Sequence, residues 1–311
     1  MLDIDPRDFP KKGHLRRVKW RPIMLRPILG SPEQFVVGVV AVSLDSFYIA
    51  KANCLHRLTC LYEDRWLSSK LVVESALEEL ERDLALRQEE ALIDHHPVFS
   101  SILLGELGTA DGLSTKAVAT SWLRALSSLH SEVVDEIVQD AEAQEDDSQY
   151  DVADAVSQSR DPLPNLVWEA VMSRSPALAR YFSREIREKA QRRRTSVHSV
   201  IIDFAGSRVV ANFGTLAHGS NYAASIDRLK RRMWDLKIAR DREHAGLTAR
   251  SHELIVHRPS KNDVEVTQRQ HGRISEALLA LEEQADQEEI RMRPLDSIGD
   301  ICDHLQSKEA A

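Results

Sequence analysis

Asp94-His95-His96 sets three metal-ligating side chains in consecutive positions, directly after the apolar run Ala91-Leu92-Ile93. Aspartate and histidine clustered in this way suit divalent metals that polarise a phosphate and activate water. No aspartate cluster at an upstream strand end accompanies them, since Asp45 stands alone after its strand. The plainer reading is a turn between helices. Cys54, His56 and Cys60 form Cys-x-His-x₃-Cys, but structural zinc takes four ligands in two close pairs. Only Cys302 and His304, far along the chain, would complete the set. Cys54 and Cys60 read more simply as small core residues among Leu55, Leu58 and Leu61. His252 and His257 sit five apart on a strand, which turns them to opposite faces. Asp203 can open a nuclease-like Asp…Glu-x-Lys set. Glu253-Leu254-Ile255 lacks the lysine, however, and Asp235-Leu236-Lys237 falls in a helix.

Several enzyme classes lack their signatures. The glycines at 105, 108 and 112 have no Gly-Lys-Ser/Thr ending, and neither Gly-x-Gly-x-x-Gly nor Gly-x-Ser-x-Gly occurs. The expectation leans away from an enzyme and includes no cofactor.

Charge is the stronger lead. Between Glu132 and Asp154 lie ten acidic residues and no Lys or Arg, in a chain with 49 Asp+Glu and 41 Lys+Arg. Without that block the balance is 39 acids against 41 bases, so a formal charge of −8 becomes about +2. Basic residues follow it. Arg174 to Arg194 carries eight Lys or Arg against Glu185 and Glu188. A later helix adds Arg228, Lys230, Arg231, Arg232 and Lys237. Clustered Lys and Arg bind phosphate backbones, with an affinity that falls steeply with salt. The residues expected to do so are Arg187, Arg192, Arg193, Arg194, Arg228, Lys230, Arg231 and Arg232.

The elements that position these groups follow from periodicity. Pro22 and Pro27 make Arg16–Leu29 an edge strand or extended arm. Phe35–Val42 is β-branched and nearly continuous, as a strand buried on both faces should be. Phe47–Ala50 completes an antiparallel meander. Val73, Leu77, Leu80 and Leu84 share one helix face. Residues 105–112 read as a loop. Ser114 caps a helix whose stripe Trp122, Leu126, Leu129, Val133, Ile137 runs into the acidic block, which should fray near Asp140 and be mobile over 140–160. One basic helix is expected over 174–194, packed through Leu178, Phe182 and Ile186. Val197–Phe204 and Arg208–Phe213 form a hairpin. A helix over 220–242 packs through Tyr222, Ile226, Leu229, Met233 and Leu236. The chain then alternates a strand at Leu254–His257, a helix striped by Ile274, Leu278, Leu281 and Ala285, a strand at Ile290–Leu295 and a closing helix. That order predicts a parallel pair with a crossover.

Two resemblances accompany this reading. Asp94-His95-His96 locally resembles the motif of the Asp-His-His phosphoesterases, which implies a metal-dependent phosphoesterase or nuclease using Asp94, His95 and His96. The run Arg26-Pro27-Ile-Leu-Gly-Ser-Pro-Glu33-Gln-Phe35-Val36-Val37-Gly38-Val39-Val40, within residues 16–90, is similar to the opening of an uncharacterised bacterial family with a Phe-Val-Asn-Val-Gly-Val type hairpin. Val37 stands where that pattern has Asn. This second resemblance implies a small α+β domain and no particular activity.

The expected fold is therefore α+β. A first domain spans 1–139, an acidic flexible linker 140–162, and a second α+β domain with a basic helical face 163–311. The expected function is a non-catalytic interaction or accessory protein of a bacterial multi-component system. The alternatives are a nucleic-acid-binding protein regulated by the acidic linker, and the metal-dependent hydrolase. A protein partner is expected first and nucleic acid second. No run reaches the ~18–20 apolar residues needed to span a bilayer, so no membrane is expected. Three cysteines and a polar N-terminus suggest the cytoplasm.

Overall fold

The computed structural model describes residues 15–62, 66–131, 161–190, 200–217, 222–243, 250–261, 263 and 266–310. The acidic block and Arg192, Arg193 and Arg194 lie outside them, as do the expectations placed there. The chain divides into two compact units, Met1–Val134 and Asp135–Ala311. It is a mixed α+β protein, with an antiparallel N-terminal sheet and a mixed C-terminal sheet. No helix among the described residues is long and apolar enough to cross a membrane.

In the first unit, strand β1 (Arg16–Leu25) is central rather than an edge. One side pairs antiparallel with β2 (Phe35–Val42), which pairs in turn with β3 (Phe47–Lys51). The other side pairs with two short strands, β4 (Ile102–Leu104) and β5 (Gly108–Gly112). Residues 105–112, expected as a loop, thus end in a strand. Pro22 is tolerated because of where its missing donor points. Its carbonyl accepts from Gly105 N at 2.8 Å, so its nitrogen faces the gap between β4 and β5 and no ladder bond is lost. Arg21 closes the same gap. Its guanidinium donates to the carbonyls of Gly105, Leu92, Ile93 and Leu104.

Helix α1 (Trp66–Arg87) buries Val73, Leu77, Leu80 and Leu84, the stripe read from the sequence. The short α2 (Glu89–Asp94) follows. Helix α3 (Thr115–Leu126) starts at Ser114, whose Oγ accepts from Ala117 N at 3.1 Å. Val118, Ala119 and Leu123 pack on Val18, Val39, Ala41 and Ala50. Trp122 stacks on Trp20 with centroids 4.1 Å apart. The helix does not continue towards the acidic block. Ser127 is extended and its Oγ donates to Val36 O at 2.5 Å. Asn53 then exchanges two hydrogen bonds with the Ser131 backbone. Leu126 is consequently 42% exposed, and Leu129 is buried from outside any helix.

The second unit opens with α4 (Leu163–Arg174), α5 (Pro176–Ala179) and α6 (Arg184–Arg187). These replace the single basic helix expected over 174–194. Ser175 precedes a proline, which disfavours helical backbone, and it sits at φ −144°. Strands β6 (Phe204–Ala205) and β7 (Val209–Thr215) form the expected hairpin, shorter on its first arm. Helix α7 (Tyr222–Glu243) leads to β8 (Ser251–His257), α8 (Gln268–Gln287) to β9 (Arg291–Leu295), and α9 (Ile298–Ala310) closes the unit. The sheet order is β6-β7-β8-β9, with β7, β8 and β9 parallel. The β8–β9 crossover was expected; the equivalent β7–β8 crossover through α7 was not. Helices α7 and α8 share one core with Val210, Leu254, Val256 and Met292. Because strand side chains alternate, Ala211, Phe213 and Glu253 face the other way. There Phe182 stacks on Phe213, and His304 of α9 meets Glu253.

Candidate functional site

Asp203, the residue that suggested a nuclease, is fully buried and bound on all sides. Its Oδ2 accepts from Phe213 N at 2.8 Å and from Arg232 Nη1 at 2.6 Å. Asn212 accepts from its backbone N–H and donates to the carbonyls of Ile201 and Arg232. Asp161 lies on the other side of the same guanidinium. It accepts from Leu163 N, Thr215 N and Thr215 Oγ1, with Arg232 Nη2 at 3.7 Å. Arg232 therefore does not belong to a solvated basic face. Only 15% exposed, it bridges two buried carboxylates and ties the entries to α4 and β6 to the centre of the sheet.

Glu253 forms a second cluster on the opposite sheet face. Its oxygens accept from Ser251 Oγ at 2.9 Å and His304 Nε2 at 2.6 Å, with Lys308 and Arg293 at 3.9 and 4.0 Å. Burial works to raise the Glu253 carboxyl. The hydrogen bonds from His304 and Ser251, and the charges of His304 and Lys308, outweigh it and hold the group below the usual glutamate value. A serine and a histidine on one carboxylate do not make a nucleophile, because among the described residues no hydroxyl rests on the imidazole. One turn of α9 further on, Glu309 accepts from Ser207 N and Oγ, Arg208 N and Val209 N, which fixes the β6–β7 turn. A Cβ at Gly206 would lie 2.1 Å from Glu309 Oε1, so the turn requires glycine.

His252 is buried beside Glu243 and Arg250. Burial lowers its pKa, against the pull of Glu243, whose carboxylate is already held by Arg250. Its Nε2 has no hydrogen-bond partner among the described residues. The folded protein therefore disfavours the proton that an unfolded histidine accepts near 6.5. Stability is complete above that value and falls as pH drops from it towards the depressed folded value. Urea midpoints measured across this interval should decline with acid, and His252→Gln should flatten the decline. An unchanged slope in that variant would contradict the assignment.

Asp94, His95 and His96 do not converge. Asp94 pairs with Arg87 at 2.8 Å, and His95 Nδ1 meets Asp83 at 2.7 Å. His96 Nδ1 instead meets the Asp94 carbonyl. Arg87 also grips Asp83 through two nitrogens, which with His95 outweighs burial and lowers that carboxyl to about 2. The cluster pins the junction of α1 and α2. Among the described residues no group of three His, Cys, Asp or Glu is placed to hold a metal. Cys54 is buried as expected, but Cys60 is exposed, because the helical turn Thr59–Tyr62 buries none of its side chains.

The outer face of α7 is different. Trp234 is 57% exposed there. Lys230 and Arg231 lie one turn before it, and Lys237 sits one turn after it, its ammonium 5.0 Å from the ring centroid. Both Lys230 and Arg231 are exposed, and among the described residues neither has a carboxylate within ion-pair distance; there Arg231 donates to the Asp227 carbonyl. Arg228, half-buried, stands to the side of this stripe. On the same stripe Lys237 is paired with Glu288, and elsewhere in the unit many cations are paired too: Arg184 with Glu188, Lys189 with Glu169, Arg258 with Asp296. Arg187 is exposed on α6. The sequence reading found the cations of α7 but missed Trp234. The signal was available, because Trp234 falls three and four residues from them and off the Leu229–Met233–Leu236 stripe.

No protein-family model matches the chain, and comparison with curated proteins and with solved structures returns no match.

Proposed function

We propose that this protein is a non-catalytic interaction protein that binds nucleic acid through the outer face of α7. The observation that carries the reading is an exposed indole, Trp234, on one helical stripe with Lys230, Arg231 and Lys237. Cations neutralise phosphates and an aromatic face accepts a base; together they are what a nucleic-acid surface needs. The clusters that first suggested catalysis give no competing reading. Asp203, Glu253 and Asp94 are each engaged by a neighbouring cation or imidazole, and His95 by the Asp83 carboxylate.

In this reading the ten acids between Glu132 and Asp154 compete with nucleic acid for the basic face, and the protein acts as a component of a larger bacterial assembly. The bacterial setting rests on the similarity of residues 16–90 described above. The test is an oligonucleotide titration of the full chain at several salt concentrations. Lys230→Ala/Arg231→Ala should weaken binding and flatten its salt dependence, and deletion of 140–156 should strengthen binding at low salt. Undetectable binding in every form would refute the proposal.

A further inference from the structure

We infer that the nucleic acid taken by the α7 face is a single strand, with one base stacked on Trp234. This rests on the nucleic-acid reading above. The patch is short. From Lys230 to Lys237 the helix rises only about 10 Å, and acids bracket that stretch. Asp227 is exposed one turn before Arg231, and Asp241 lies one turn beyond Lys237, where Arg240 pairs with it at 2.8 Å. A rigid duplex laid along the helix would carry its phosphates over both acids. A flexible strand crossing the helix can keep to the turn that carries Lys230, Arg231 and Trp234, and pass Glu288, which Lys237 neutralises.

Base faces in a duplex are covered by their neighbours, so an indole on the crest of a helix meets only base edges, to which it can offer a single N–H donor. An unstacked base offers its whole face, and stacking on an aromatic side chain is sequence-tolerant. The ring is also held in place. Lys237 Nζ sits over Trp234 and is itself tied to Glu288 Oε2 at 2.5 Å, which fixes the indole from one side while the residue stays 57% exposed. Lys230 and Arg231 then reach the phosphate on the approaching side.

The experiment is fluorescence anisotropy with the full chain, using a labelled oligo(dT) of ~15 nucleotides and a duplex of about the same length. Trp234→Ala should weaken the single strand roughly 5- to 100-fold and leave the duplex within about twofold. Trp234→Phe should recover most of the loss, since it keeps an aromatic face. Tryptophan emission should be quenched by oligo(dT) in the wild type, with the quench largely absent in Trp234→Phe. Trp234 is a surface residue, so circular dichroism of each variant should match the wild type. If Trp234→Ala leaves single-strand affinity unchanged while Lys230→Ala/Arg231→Ala weakens both ligands, the single-strand inference fails and the nucleic-acid reading stands. If neither oligonucleotide binds, both fail. Binding of polyglutamate but of no oligonucleotide would also overturn both, in favour of an acidic protein partner.

Discussion

Arg232→Ala is expected to lower the stability of the C-terminal unit by about 3–5 kcal/mol, the cost of removing one partner from a buried ion pair. Two carboxylates depend on this guanidinium, and both side chains are 0% exposed. Without it Asp203 loses its 2.6 Å partner, and Asp161 loses a charge 3.7 Å away. Each acid keeps its backbone donors, Phe213 N for Asp203 and Thr215 N and Leu163 N for Asp161. Those donors satisfy oxygens but do not neutralise two buried negative charges. Arg232→Lys should recover only part of the loss, because a single ammonium cannot reach both acids as a planar fork does. Combining Arg232→Met with Asp203→Asn should be milder than Arg232→Ala, since less charge is left uncompensated. Urea unfolding followed by far-ultraviolet circular dichroism measures the change. A loss below about 0.5 kcal/mol would place Arg232 with ordinary surface substitutions.

Glu253→Gln should cost about 3 kcal/mol at neutral pH, in the range for hydrogen bonds to a charged group in a buried network. The amide keeps the shape, but it turns a donor towards Lys308 and Arg293, which have none of their own charge offset by it. The pH dependence gives the sharper test. The folded pKa of Glu253 lies below its ordinary 4.5. The carboxylate therefore contributes fully above 4.5, and its contribution is lost as pH falls through the folded value. The wild-type and Glu253→Gln stability curves should stay parallel above 4.5 and converge below it. Curves that stay parallel below 4.5 as well would contradict the assignment to the Glu253 carboxylate.

How far the sequence revealed all this can be seen residue by residue. Phe35–Val42, the Val73–Leu84 stripe, Ser114 and the α8 stripe were all legible, because apolar periodicity and a capping hydroxyl act locally. β1 was misread as an edge because proline usually marks one. What rescued Pro22 is the gap between two strands that arrive some eighty residues later, which no local pattern encodes. Arg232 was misread for a different reason. It occupies the step between Leu229, Met233 and Leu236, so its position was core from the start. Reading residue type before helix phase put it on the surface. Asp161 was passed over as the end of a linker, although an aspartate two residues before a helical N–H is a capping signal. Trp234 is legible only by the same helix phase, which sets it off the Leu229–Met233–Leu236 stripe and among cations.

The most direct test of the account is the salt dependence of single-strand binding. For a protein held by phosphate contacts, log K falls linearly with log salt by about 0.7 per phosphate neutralised on a single strand. Wild type and Lys230→Ala/Arg231→Ala should be titrated with oligo(dT) between about 50 and 200 mM salt. The account predicts a slope shallower by about 1.4 in the double variant, two phosphates at 0.7 each. Equal slopes in the two proteins, or no binding at the lowest salt, would contradict it.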